Sequence, residues 1–247
     1  MKLLEIIMIK TTIEPMTLVL EVPAFPGGEW TINPTLITSE NTVVLVDVGM
    51  PRSDKLIAEE LEKRGLSIDQ LTTIILTHQD IDHVGCLAKL LEINPGTEVL
   101  SHELDRPYIE GHQPLIKRLP ASIEREFSEG YAAPPTSVIK RTLVDGEELD
   151  IAGGLIVIHT PGHTEGHISL FHPVSKTLIA GDALLIRGRK LEGPNPMQTP
   201  DLEQAYQSLT KFANFDIKRI ICFHGGVYES ETLNEEIAQI AATGPAE

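Results

Sequence analysis

The 247-residue chain is long enough to bury one large core or two small ones, and 41% apolar with 23% charged residues excludes a wholly disordered protein. A balance of 20 Lys and Arg against 36 Asp and Glu leaves a formal charge of −16, which repels phosphate backbones and anionic membranes and argues against nucleic-acid partners. Only Cys86 and Cys222 are present, too few for a disulfide scaffold, and no apolar run approaches the roughly 20 residues of a spanning helix, so a cytoplasmic protein is expected.

Residues 1–10 are apolar but broken by Glu5, with no small-residue cleavage site after them, and they read as a strand instead of a signal peptide. Residues 17–22 are β-branched and apolar, and the Pro- and Gly-rich stretch 23–28 stops them. Two strand-like runs, 35–38 and 42–48, flank Ser39-Glu40-Asn41 as in a hairpin, and the second ends in Asp47-Val48-Gly49. A helix follows, with Ser53 as its cap, Leu56, Ile57 and Leu61 on one face, and Gly65 as its stop. Residues 71–76 predict a strand buried on both faces, 84–92 a helix ending at Asn94-Pro95-Gly96, and 98–101 another short strand.

From about 103 to 141 the pattern changes. Pro107, Pro114, Pro120, Pro134 and Pro135 punctuate short amphipathic pieces that carry Tyr108, Phe127 and Tyr131. This stretch reads as an insertion of short helices, either a lid over a site or a connecting loop. Strand-like runs resume at 155–159, 167–172 and 177–180. Thr199-Pro200-Asp201 opens a helix with Leu202, Ala205, Tyr206, Leu209 and Phe212 at helical spacing. A last buried strand at 218–223 and a last helix at 231–242 complete an α/β chain, whose order fits two sheets, each interleaved with helices.

The chemistry concentrates in His78-Gln79-Asp80-Ile81-Asp82-His83, four metal-capable side chains directly after an apolar strand. Strand alternation puts His78, Asp80 and Asp82 on one side, and a turn into helix brings His83 beside them. Carboxylates gathered without a basic neighbour repel one another unless a cation sits among them. Three further corners follow apolar strands: Thr160-Pro161-Gly162-His163, Gly181-Asp182 and Phe223-His224-Gly225-Gly226. In each, glycine is expected to let the backbone approach an ion closely.

These four corners, in this order and spacing, resemble the metallo-β-lactamase superfamily, whose first motif is His-x-His-x-Asp-His. The likeness runs from the Asp47 corner to the His224 corner. It implies a single domain over 1–247 with a four-layer αββα sandwich, two mixed sheets flanked by helices, a lid insertion at about 103–141, and a site at one edge between the sheets. It also implies two divalent metal ions, Zn²⁺ first and Mn²⁺ or Fe²⁺ as alternatives. His78 and His163 would hold one ion, and Asp82, His83 and His224 the other. Asp182 would bridge the two, and Asp47 would orient a ligand from behind. Asp80 departs from the motif by replacing its second His, and is read as a ligand by its carboxylate. With Asp80, Asp82, Asp182 and a bridging hydroxide, the charge on two divalent ions is fully offset. A less electrophilic pair, shifted somewhat from Zn²⁺ toward Mn²⁺ or Fe²⁺, is the expected consequence.

The implied activity is hydrolysis of a lactone, ester, thioester or amide in a small molecule, with hydroxide held between the ions and Asp82 orienting it and carrying its proton to the leaving group. Lactonases of the superfamily often place a Tyr after the bridging-Asp corner, where this chain has Ala183-Leu184-Leu185-Ile186. Alternatives are a mononuclear iron persulfide dioxygenase and a non-catalytic metal-binding protein on the same fold. Neither nucleic acid nor membrane is expected as a partner, and a homodimer stays open. His159 and His167 flank the His163 motif and read as strand residues, with one of them orienting a ligand as the alternative; Cys86 reads as a buried helix residue.

Overall fold

The computed structural model describes residues 11–22, 27–117 and 137–244. The strand expected over 1–10, and Phe127 and Tyr131 of the insertion, lie outside the described residues. In chain order the strands are β1 (Thr12–Pro15), β2 (Leu18–Glu21), β3 (Glu29–Ile32), β4 (Thr35–Ser39), β5 (Thr42–Val46), β6 (Thr73–Ile75), β7 (Glu98–His102) and β8 (Ile139–Leu143). They continue as β9 (Glu148–Leu149), β10 (Leu155–His159), β11 (Ile168–His172), β12 (Thr177–Gly181), β13 (Leu185–Arg187), β14 (Lys190–Glu192), β15 (Arg219–Cys222) and β16 (Gly226–Glu229). The α-helices are α1 (Asp54–Glu62), α2 (Ile81–Val84), α3 (Leu87–Ile93), α4 (Arg106–Ile109), α5 (Leu202–Leu209) and α6 (Leu233–Thr243).

One six-stranded sheet runs β1-β4-β5-β6-β7-β8, and a second runs β16-β15-β12-β11-β10-β9. Strands β5 to β8 pair in parallel; α1 carries the chain back from β5 to β6, and α2 and α3 from β6 to β7. In the second sheet only β12 and β15 are parallel, joined through α5.

Period-2 alternation builds the layers. Leu36, Leu45, Ile74 and Val99 join one apolar cluster with Ile57 and Leu61 of α1 and Leu87 and Leu90 of α3. Their neighbours Ile37, Val44, Val46, Ile75 and Leu100 join another, with Val157, Leu170, Ile179 and Ile221 of the second sheet. Ile158, Phe171, Leu178 and Ile220, on the opposite face of that sheet, pack against Leu209, Leu233 and Ile237 of α5 and α6. Strands buried on both faces between helices and a second sheet make a four-layer αββα sandwich, the architecture the sequence implied.

Local differences have physical reasons. Ser53 precedes α1, but its backbone is already helical (φ −73°, ψ −6°), so its hydroxyl makes no capping bond; capping needs the extended conformation. The helix expected at 84–92 is two short ones, α2 starting three residues earlier and α3 following Cys86. At the junction, a side chain on Gly85 would meet Pro51 Cδ at 2.3 Å, so only glycine permits this approach. The last residues of the expected insertion belong to the sheet: Ile139 pairs beside β7, and the buried Glu110 carboxylate accepts its N–H at 3.0 Å. Among the described residues no helix is long and apolar enough to cross a membrane.

Candidate metal centre

The chemistry-bearing corners all follow strands at one end of the two sheets. Asp47 follows β5, His78–His83 follow β6, His163 follows β10, Asp182 follows β12 and His224 follows β15. The sheets meet there, with Ile168 N–H donating to Thr77 O at 2.9 Å and Asn33 N–H to Phe223 O at 2.9 Å.

Seven side chains converge. Atoms of His78, Asp80 and His163 form one triad within 4.8 Å of one another, and atoms of Asp82, His83 and His224 form a second. Asp182 lies between them: its Oδ2 is 3.3 Å from His163 Nε2 and 3.4 Å from His224 Nε2, and its Oδ1 is 3.3 Å from His83 Nε2. The donor set fits a divalent ion. Buried polar groups normally have partners, yet His78 Nε2, Asp80 Oδ1, His83 Nε2 and Asp182 Oδ1 are buried with no hydrogen-bond partner among the described residues. Imidazole nitrogens with carboxylate oxygens suit Zn²⁺, and also Mn²⁺ or Fe²⁺.

The electrostatics differ between the triads. Burial pushes the His78 imidazole down to about 4, helped by the neighbouring His83, so it is neutral at pH 7 and ready to ligate. Burial would also lower His224, but Asp182 and Asp82 outweigh it and hold it up at about 10. His83 is likewise raised well above the ordinary range, where Asp47, Asp182 and Asp82 overcome its burial. Burial would raise the carboxylates, yet the facing histidines hold Asp80, Asp82 and Asp182 below their usual range. A proton on His224 is therefore favoured by the facing carboxylates, and an ion entering the second triad must displace it.

Supporting groups fix the candidate side chains. Asp47 sits at φ 63°, a strained conformation for a non-glycine residue. Its carboxylate accepts Thr77 N–H at 2.8 Å, Thr77 Oγ1–H at 2.8 Å and His83 Nδ1–H at 2.8 Å, which turns His83 Nε2 into the centre. His163 Nδ1 is 3.2 Å from Thr199 Oγ1. Of the two flanking histidines, His167 takes the orienting role. It is fully buried, and its Nε2 accepts Asp182 N–H at 3.0 Å, fixing the Asp182 corner. His159 instead contacts Glu165 O and stacks on His102.

The corner glycines serve a different purpose from the one expected. A side chain on Gly162 would meet Ala205 N at 2.3 Å, and one on Gly181 would meet His167 Nε2 at 2.7 Å. Both glycines admit neighbouring protein, so the corners lock onto α5 and onto His167. Cys86 is buried, as expected, and burial pushes its thiol up to about 12.

Two residues that the sequence reading did not single out belong to this region. Asp105, fully buried, accepts Gln79 N–H at 2.9 Å, Thr164 Oγ1–H at 2.7 Å and Gly166 N–H at 3.0 Å, clamping the His78 and His163 loops together. Lys117 places its Nζ 2.6 Å from Asp80 Oδ2 and 2.6 Å from His163 Nε2. Neither carried a local signal, since each lies inside the insertion among other charged residues.

Residues 27–224 match the family model of the metallo-beta-lactamase superfamily. A probable metallo-hydrolase of Bacillus subtilis, YflN, is 30% identical over 227 residues, spanning 83% of this chain and 84% of the relative. A hydroxyacylglutathione hydrolase of Idiomarina loihiensis is 31% identical over 189 residues, covering 75% of this chain and 57% of that protein. The crystal structure of a metallo-beta-lactamase family protein of Thermus thermophilus, TTHA1429, superposes with a TM-score of 0.72 at 23% identity, covering 94% of this chain and 78% of that one. With this match spanning all four corners of the centre, the chain belongs to the metallo-β-lactamase superfamily.

Proposed function

We propose that the chain is a metal-dependent hydrolase that cleaves an ester, thioester, lactone or amide bond in a small molecule, in the cytoplasm, at a centre with places for two divalent ions. The observation that carries this reading is Asp182, whose two oxygens face both triads at 3.3 and 3.4 Å. His78, Asp80 and His163 would hold one ion and Asp82, His83 and His224 the other. A bound divalent ion supplies an acidified water and polarises a carbonyl oxygen.

The chain's own residues do the rest. Asp82, with Oδ2 facing His83 and His224, is the group that accepts a proton from the nucleophile and returns it to the leaving group. Asp47 keeps His83 Nε2 aimed inward through each cycle. His224 is the most open of the histidine ligands, and Trp30 stacks along it at 5.9 Å, giving the substrate an apolar wall on that side. The hydroxyacylglutathione hydrolase among the relatives supports a thioester first, and the apolar Ala183-Leu184-Leu185-Ile186 stretch favours it over a lactone.

The test is hydrolysis by chelator-treated protein with and without added Zn²⁺ or Mn²⁺, on an acyl thioester, an aryl ester and a lactone. Metal-restored turnover of at least one substrate is expected. Oxygen consumption with a persulfide instead would replace this reading by iron dioxygenase chemistry, and no turnover of any substrate would leave a metal-binding protein.

A further inference from the structure

The first triad already has a cation against it. Lys117 ends the described part of the segment that follows α4, and its ammonium donates to Asp80 Oδ2 and to His163 Nε2, each at 2.6 Å. These two atoms belong to two of the three residues that would hold an ion in this triad. The Lys117 side chain is only 14% exposed. Its position is fixed from a second side. Gln79, the fully buried residue between His78 and Asp80, points away from the centre and accepts Ile116 N–H on its Oε1 at 3.0 Å. Gln79 is itself fastened to Asp105 through its backbone N–H at 2.9 Å. The motif therefore carries its own anchor for the lysine segment, one residue from the lysine.

Competition with a metal follows from electron pairs. An imidazole nitrogen has one lone pair. His163 Nε2 cannot accept from an ammonium and ligate an ion together. The charge balance points the same way: one divalent ion and one ammonium carry three positive charges, equal to those of the Asp80, Asp82 and Asp182 carboxylates. A histidine in place of Asp80 would give the ammonium no anionic partner there, so the departure from the family motif and the lysine account for each other.

We infer that Lys117 is a tethered cation that competes with metal for the His78–Asp80–His163 triad, so that the chain takes one divalent ion tightly at Asp82–His83–His224 and a second only when Lys117 withdraws. This rests on the proposed metal centre and sets how it loads. It makes the number of bound ions depend on the position of the Lys117 side chain, and an anionic group on a substrate is the kind of partner that can draw the ammonium away from Asp80.

Calorimetric titration of the full chain with Zn²⁺ after chelator removal tests this without reading activity. The wild type is expected to bind one equivalent tightly and a second at least about a hundredfold more weakly. Lys117→Met, which keeps the length and loses the charge, is expected to tighten the second equivalent at least about thirtyfold, while Lys117→Arg keeps the unequal pattern. Circular dichroism and melting curves confirm that each variant is folded, and Lys117→Gln stands in if Lys117→Met is not. Two equally tight equivalents in the wild type, or a second equivalent unmoved by removing the charge, would overturn the inference while leaving the metal centre intact. Absence of any binding by the wild type and all the variants would overturn the metal reading itself, and this inference with it.

Discussion

Asp182→Ala is expected to lower kcat/KM by about a thousandfold or more, since several kcal/mol of metal-derived stabilisation would go and each 1.4 kcal/mol is tenfold. Among the described residues Asp182 is the one carboxylate that faces His163 on one side and His83 and His224 on the other, so its loss weakens both triads at once. It also removes the carboxylate that does most to hold His224 at about 10 against its burial. The variant's histidines would lose their shared anion, and an ion in either triad would lose a ligand. The corner should still fold, because the Asp182 backbone N–H keeps its bond to His167 Nε2. Steady-state kinetics on whichever substrate the wild type turns over, with a melting curve beside it, checks this. Activity within tenfold of the wild type would move the chemistry away from this centre.

Asp105→Ala is expected to cost about 3 kcal/mol of stability, the order expected when truncation leaves buried donors unpaired. In a chain of this size that is roughly 6–12 °C in melting temperature. The carboxylate accepts two backbone N–H groups and a hydroxyl in a fully buried position, and all three donors belong to the loops that carry His78 and His163. Burial, with a smaller push from the Asp80 carboxylate, leaves the Asp105 carboxyl above its usual range even though these three donors pull it down. Asp105→Asn retains one acceptor oxygen and should lose distinctly less. Thermal unfolding in the presence of a chelator separates this effect from metal binding. An Asp105→Ala melting temperature within a degree or two of the wild type would show that the loops hold without the clamp.

What could be read from the sequence follows how local each signal is. The strands over 35–46 and 155–180 were legible because apolar residues alternate with period 2, each neighbour going to a different layer. The candidate metal-binding residues could be picked out because side chains able to ligate stand directly after such runs, a pattern that apolar packing does not require. The short pieces were not: β9, β13 and β14 are two or three residues long and take their conformation from pairing. The start of α2 at Ile81 was hidden because the turn is set by the approach of Gly85 to Pro51, a contact far apart in sequence. Lys117 and Asp105 were missed for the same reason. Lys117 lies 37 residues from Asp80 and 46 from His163, and only the folded chain brings its Nζ within 2.6 Å of both side chains. A glycine stands beside His163, Asp182 and His224, but the partners admitted are Ala205, His167 and Ile186, which no local reading supplies.

The centre as a metal site is tested most directly by elemental analysis of protein purified without chelator, in the wild type and in Asp182→Ala. The wild type should carry at least one equivalent of a divalent transition metal per chain, with a marked loss in Asp182→Ala. Wild-type protein that holds no metal and takes none up on incubation with Zn²⁺, Mn²⁺ or Fe²⁺ would contradict the account.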